Sequence, residues 1–202
     1  MICVLDYGVG NLASVRNMLR KLGANAQISG DPSVVLGADK LLLPGVGHYD
    51  HAVRSLNDSG LRDALDRFAL ELRRPVLGIC LGAQLLGRRS AEGQLAGLGW
   101  LPLECERFPD LPDLRVPHMG WNTVSPVGEA TWISPAFDDD SRFYFAHSYF
   151  MRCDAPADVR ATTVHGVEFA SVVGRDNIFG TQFHPEKSLR HGLAVLRAFA
   201  SL

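Results

Sequence analysis

The stretch VLGICLGAQ, residues 76–84, sets one cysteine between two glycines, with mostly branched apolar residues before it and a helical pattern after it. A strand that enters a sharp turn and leaves as a helix holds the corner side chain above the sheet edge, where the first amides of the helix point outward. Gly78 and Gly82, each two residues from Cys80, are the small neighbours such a turn needs. A thiol at that corner faces the positive end of the helix dipole, which favours the nucleophilic thiolate. The competing reading is a buried thiol packed as a small apolar residue. It suits Cys3, Cys105 and Cys153, which have no such turn around them.

Working outward, the pattern before the corner is strand and helix in alternation. The run ICVLD at 2–6 precedes Leu12, Val15, Leu19 and Leu22 at helical spacing, and KLLLPG follows at 40–45. A second amphipathic segment carries Leu61, Leu65, Phe68 and Leu72 on one face behind a cap at Asp58 or Ser59. Continuous apolarity in these runs predicts strands covered on both faces, as in a parallel sheet. Beyond residue 98, GWLPLECERF, RFYFAHSYF, VRATTV, VEFASVV and NIFGTQF read as strands, and helical spacing returns only at Leu189, Leu193, Leu196 and Ala200. The proline-bearing stretch from Pro109 to Pro135, with the acidic run at 138–140, reads as loops. The expected fold is α/β: a three-layer, mostly parallel sheet with flanking helices and an antiparallel annex, in a single domain over residues 1–202.

Composition narrows the function. A net charge of −2 with no basic stripe argues against nucleic acid and against a membrane surface. The first twenty residues lack a basic start and a cleavage site, and no apolar run approaches membrane-spanning length, so a cytosolic setting is expected. The four cysteines form no CxxC pair, which fits reduced thiols better than disulfides or a zinc site. His51, His165 and His191 have no spaced partners and read as surface or satisfied histidines. No metal or cofactor is expected. Trp100 and Trp132 read as packing or loop cover.

A cysteine nucleophile needs a base, and the base needs an orienting group. TQFHPEKS at 181–188 supplies both: Pro185 biases His184 toward extended backbone, where residues two apart face the same way, so His184 and Glu186 project together. Gly45 and Gly47 in LLLPGVGHYD follow an apolar strand, and such a loop can turn backbone N–H groups toward an oxyanion beside the amide that follows Cys80.

The elbow GICLGAQ and the segment FHPE, about a hundred residues apart, resemble the nucleophile and His/Glu motifs of the triad glutamine amidotransferases. DYGVGNL at 6–12, LPGVG at 43–47, VPHMGWN at 116–122, FYFAHSY at 143–149 and FHPEKS at 183–188 are similar, in more detail, to the glutaminase subunits of imidazole glycerol phosphate synthases. The resemblance implies glutamine hydrolysis through a thioester on Cys80, with His184 as acid and base and Glu186 orienting it. It further implies an oxyanion hole at Gly47 and Leu81, and a glutamine pocket lined by Gln84, Glu92, Ser148 and Tyr149. His118, Met119, Trp121, Asn122, Tyr144 and Lys187 would meet a cyclase subunit, in a heterodimer that forms imidazole glycerol phosphate and AICAR for histidine biosynthesis. Where the family commonly has a small or apolar residue after PGVG this chain has His48, and its usual methionine before the elbow glutamine is Ala83; both are expected to border the pocket. NMLRKLGA and EGQLAGLGW also look like paralogous glutaminases that supply ammonia for amidino-sugar synthesis in surface polysaccharides.

Three other readings compete. YGVGNLA at 7–13 fits G-x-G-x-x-A, with Asp31 about twenty residues on, as in a dinucleotide-binding oxidoreductase, but that leaves Cys80 and His184 without a task. A cysteine hydrolase of the nucleophile-elbow type normally orders nucleophile, acid, histidine, whereas here Glu186 follows His184. An inactive scaffold would not need Cys80, His184 and Glu186 all intact.

Overall fold

The computed structural model describes residues 1–128, 131–138 and 140–202. The first half alternates strand and helix: β1 (Ile2–Leu5), α1 (Leu12–Lys21), β2 (Ala26–Ser29), α2 (Pro32–Gly37), β3 (Lys40–Gly45), α3 (Tyr49–Asp58), α4 (Arg62–Asp66), β4 (Val76–Cys80) and α5 (Leu81–Leu85). The second half carries β5 (Arg89–Ser90), β6 (Leu103–Arg107), β7 (His118–Thr123), β8 (Ser125–Pro126), β9 (Arg142–His147), β10 (Tyr149–Cys153), β11 (Val159–His165), β12 (Val167–Arg175) and β13 (Ile178–Thr181), and ends on α6 (Leu189–Ala200).

The main sheet runs β2-β1-β3-β4-β13-β12-β10-β6-β5, parallel from β2 through β13 and antiparallel from β13 to β6. The apolar runs are continuous because each parallel strand feeds two cores. On one face Ile2, Val4, Leu42, Leu77 and Ile79 pack with Val15 and Leu19 of α1 and Leu196 and Phe199 of α6. On the other, Cys3, Leu5, Leu41, Leu43 and Val76 pack with Leu56, Leu61, Leu65 and Phe68. Period-two alternation therefore sorts one apolar run into two layers. Among the described residues, no helix is long and apolar enough to cross a membrane.

The structure differs from the sequence reading at particular points. The one crossover expected between residues 6 and 40 also contains β2 and α2; β2 is a short edge strand, only half-buried, without an apolar run to announce it. Leu61, Leu65 and Phe68 are buried, but Leu72 caps the end of a π-helical turn over Arg67–Glu71 and is exposed. Neither Asp58 nor Ser59 is the cap residue of α4, although Ser59 Oγ accepts from the Leu61 N–H at 3.3 Å. RFYFAHSYF is two strands in two sheets: β9 forms a two-stranded sheet with β7 and bridges His184 through Tyr144, and β10 joins the main sheet next to β6. The proline-bearing stretch is not all loop, since it contains β7 and β8. Asp138 accepts from Ser141, while Asp139, in the acidic run, lies outside the described residues. Trp100 is buried and donates from Nε1 to Asp66 at 2.6 Å, and Trp132 packs on Phe179 and Phe199.

Candidate active site

Register brings the motifs together. Gly45 at the end of β3 lies opposite Cys80 at the end of β4, and Thr181 opposite Ile79, so the loops after β3, β4 and β13 open at the same carboxyl edge of the sheet. That edge is where open α/β sheets bind ligands. Cys80 sits at φ 53, ψ −110, a backbone conformation that side chains rarely adopt. Its strain is supported by the start of α5 lying directly on β3: a Cβ on Gly82 would stand 1.8 Å from the Leu43 carbonyl oxygen. That contact is the physical reason for the second glycine of G-x-C-x-G.

His184 is 2% exposed, and its Nδ1 lies 2.8 Å from Glu186 Oε1, whose side chain is equally buried. The pair forms as expected, by a different geometry: His184 is extended, but Pro185–Lys187 is a 3-10 turn that folds Glu186 back onto the imidazole. Ser188 closes that turn, donating from Oγ to the His184 carbonyl and accepting from the Tyr144 N–H at 3.0 Å. Burial pulls the His184 pKa down, but hydrogen bonds with Cys80 and Glu186 outweigh it and push it up to about 10. Imidazole and carboxylate thus form one line, with Cys80 and His184 in the wall of the same cavity.

The line borders a cavity of about 200 Å³ whose walls include Gly47, Leu81, Gln84, Glu92, Ser148 and Tyr149, the six residues expected at the oxyanion hole and pocket. Glu92 is tied to the start of α3 by the Tyr49 N–H at 2.9 Å, and Gln84 Nε2 donates to the Tyr149 carbonyl at 2.8 Å. Larger grooves exist, one of about 620 Å³ between β10 and β12, but it is lined by none of the residues expected to be catalytic or to hold glutamine. Sequence reasoning missed His147 and Gln182. His147 lines the cavity, and the fully buried Gln182 reaches Cys80. Both lie beside motifs that were read, His147 one residue before Ser148 and Gln182 two before His184, but neither has a spacing signal of its own.

Two sets of expectations are corrected. His48 and Ala83 do not line the cavity: His48 caps α3, its Nδ1 accepting from the Asp50 N–H, and Ala83 is fully buried beneath the elbow against Gly180. His118 is not a surface residue. Strand alternation in β7 turns Met119 and Trp121 outward, 65% and 47% exposed, and sends His118 inward at 4%. Asn122, half-buried, follows His118 and donates to the Val164 carbonyl. Tyr144 and Lys187 stay with the outward group: the ammonium lies over the tyrosine ring at 5.6 Å, and Trp121 meets that ring edge-on. His165 stacks on His118 and its Nε2 lies 2.8 Å from the Arg115 carbonyl, whereas His51 is exposed. Asp31 caps α2 through the Ser33 N–H, which gives it a structural task instead of the ribose contact of a dinucleotide site.

Burial, with the neighbouring His165, lowers His118 to about 4, and burial, with the surrounding histidines, lowers His147 to about 3 although the Tyr149 carbonyl opposes it. Unfolded histidines titrate near 6.5, so between that pH and about 4 the unfolded chain takes up protons that the native chain refuses. Their stabilising contribution is complete above about pH 6.5 and is lost as pH falls. His184 has the opposite sign: its contribution is complete below about 6.5 and is lost as pH rises through about 10. The urea midpoint is therefore expected to be lower at pH 5 than at pH 7.5; an equal or higher midpoint at pH 5 contradicts the neutral buried pair.

An elbow cysteine, a His–Glu pair and a small hollow thus meet at the carboxyl edge of a doubly covered sheet. The chain belongs to the class-I glutamine amidotransferase family, whose model matches residues 3–201. It is 48% identical over its whole length, and the relative's whole length, to "Imidazole glycerol phosphate synthase subunit HisH 2" of Pseudomonas aeruginosa. It is 40% identical, again over both full lengths, to "Imidazole glycerol phosphate synthase subunit HisH" of Bdellovibrio bacteriovorus. The fold is shared with PurLQS from Thermotoga maritima, at TM-score 0.73 and 18% identity over 99% of this chain and 97% of that one.

Proposed function

We propose that this chain, as one glutamine amidotransferase domain, is the glutaminase subunit of an imidazole glycerol phosphate synthase. The observation that carries the reading is that Cys80 and His184 line one small cavity, with Glu186 on the far ring nitrogen of His184, in a chain whose full-length relatives bear that subunit's name. In this reading Cys80 Sγ gives its proton to His184 and attacks the side-chain carbonyl carbon of glutamine. The amides of Leu81 and Gly47 receive the oxyanion. His184 returns the proton to the departing nitrogen, ammonia leaves and a thioester remains; water, deprotonated by the same imidazole, then releases glutamate and the thiol. Glu186 holds Nδ1–H so that Nε2 faces the sulfur. Ammonia passes to a cyclase subunit, which docks at the outward face carrying Met119, Trp121, Tyr144 and Lys187. The chemistry belongs in the cytoplasm.

The test is to mix the purified chain with its cognate synthase subunit and N'-phosphoribulosyl formimino aminoimidazole carboxamide ribotide. Glutamate is expected to form in step with imidazole glycerol phosphate, and the chain alone is expected to turn over glutamine at least tenfold more slowly. Cyclase product from ammonia but none from glutamine would defeat the glutaminase assignment. Ammonia supply to an amidino-sugar enzyme is the remaining alternative, and glutamine turnover that ignores the ribotide but responds to such an enzyme would favour it.

A further inference from the structure

The polar contacts behind the cavity have one fixed point, the main-chain carbonyl of Tyr149. A carbonyl oxygen only accepts. It receives His147 Nδ1 and Gln84 Nε2, each at 2.8 Å, so both groups must present N–H there. The Gln84 nitrogen also donates to Gln182 Oε1 at 3.1 Å. Gln182 therefore turns its carbonyl oxygen toward Gln84 and its NH₂ the other way, where it lies 3.8 Å from Cys80 Sγ, within reach of a hydrogen bond to sulfur.

The other arm is consistent with the same fixed point. With Nδ1 protonated, His147 offers a lone pair at Nε2, and His118 Nδ1 meets it at 3.1 Å. His118 Nε2 is then an acceptor, and Asn122 Nδ2 approaches it at 3.2 Å while also donating to the Val164 carbonyl at 3.0 Å. Reversing the Gln182 amide would set two NH₂ groups face to face inside a region where Gln182 is fully buried and Gln84 nearly so.

We propose that Gln182 is a further catalytic residue, whose side-chain N–H donates to the Cys80 sulfur and stabilises the negative charge left there when the thiol proton passes to His184. The assignment rests on Cys80 being the nucleophile of the glutaminase reading. The sulfur then has a donor for its charge in Gln182, with His184 in the same cavity wall to take its proton; the thiol itself lies 4.0 Å from the Ala146 carbonyl, which can accept from it.

Two variants test it. Gln182→Glu keeps the shape and the acceptor for Gln84 but places oxygen beside the sulfur; Gln182→Met removes both polar ends. Alkylation of the full chain by iodoacetamide at pH 7, read as the Cys80 peptide by mass spectrometry, is expected to slow about tenfold in either variant. In the complex with the synthase subunit, glutamine-dependent kcat is expected to fall by a similar factor with KM within about twofold, and ammonia-dependent turnover is unchanged. The glutamate variant decides the matter if the methionine variant does not fold. Alkylation within twofold of the parent rate in a folded variant would overturn the proposal. Because alkylation needs no glutamine, the two failures are distinguishable: a parent chain that alkylates at Cys80 yet never yields glutamate, with or without the synthase subunit, refutes the glutaminase reading and the catalytic role that rests on it, whereas equal alkylation of parent and variant refutes the Gln182–sulfur contact alone.

Discussion

Cys80→Ser is expected to lower glutamine-dependent product formation by the synthase complex by a factor on the order of a thousand or more, while product formation from added ammonia stays at the parental rate. The split follows from the geometry. The thiol at the elbow is the proposed nucleophile, His184 shares its cavity as the proposed proton acceptor, and in that reading neither group is asked to do anything once ammonia is free. Serine occupies less space than cysteine, so the cavity and the partner face are retained. Steady-state assays with glutamine and with ammonium chloride measure the two rates side by side. A variant that still used glutamine at the parental rate would remove Cys80 from the mechanism, and with it the roles given to His184, Glu186 and Gln182.

Gly82→Ala is expected to destabilise the chain more than any other single methyl insertion at the elbow. The added carbon would stand 1.8 Å from the Leu43 carbonyl oxygen and 2.8 Å from its carbon, and both are backbone atoms of a central strand that cannot swing aside as a side chain could. Overpacking of this kind costs about 1–3 kcal/mol and occasionally more, which in a domain of this size lowers Tm by about 2–12 °C. The activity loss should exceed the stability loss, because moving α5 away from β3 separates the Leu81 amide from the Gly45–Gly47 loop with which it is proposed to share the oxyanion. Calorimetry and glutamine turnover at 20 °C, well below the transition, separate the two effects. An unchanged Tm would show that the close approach of α5 to β3 is not what the second glycine serves.

The candidate site was more legible than the architecture around it. Cys80 could be found because a nucleophile at a strand–turn–helix corner requires small residues at fixed offsets, and GICLG carries them within five positions. His184 and Glu186 could be paired because they are two residues apart, although the tight turn that joins them was mistaken for extended chain. Local constraints of this kind are written into neighbouring residues. By contrast, β7 is hidden in a stretch rich in turn formers, and the break at Ser148 that sends β9 and β10 to different sheets carries no glycine or proline to mark a turn.

By itself the sequence determined which elements form around the elbow, that the parallel strands are covered on both faces, and that a corner thiol and a neighbouring imidazole and carboxylate are present. Only the tertiary structure decided which side chains share a volume. It turned His118 inward and left Met119 beside it exposed, made His48 a helix cap, buried Ala83 beneath the elbow, and aimed the Gln182 amide at sulfur from 102 residues away. The physical reason is that propensity and periodicity act over a few residues, whereas the facing direction of a strand and the orientation of a buried amide are fixed by partners that the chain reaches only after it has folded.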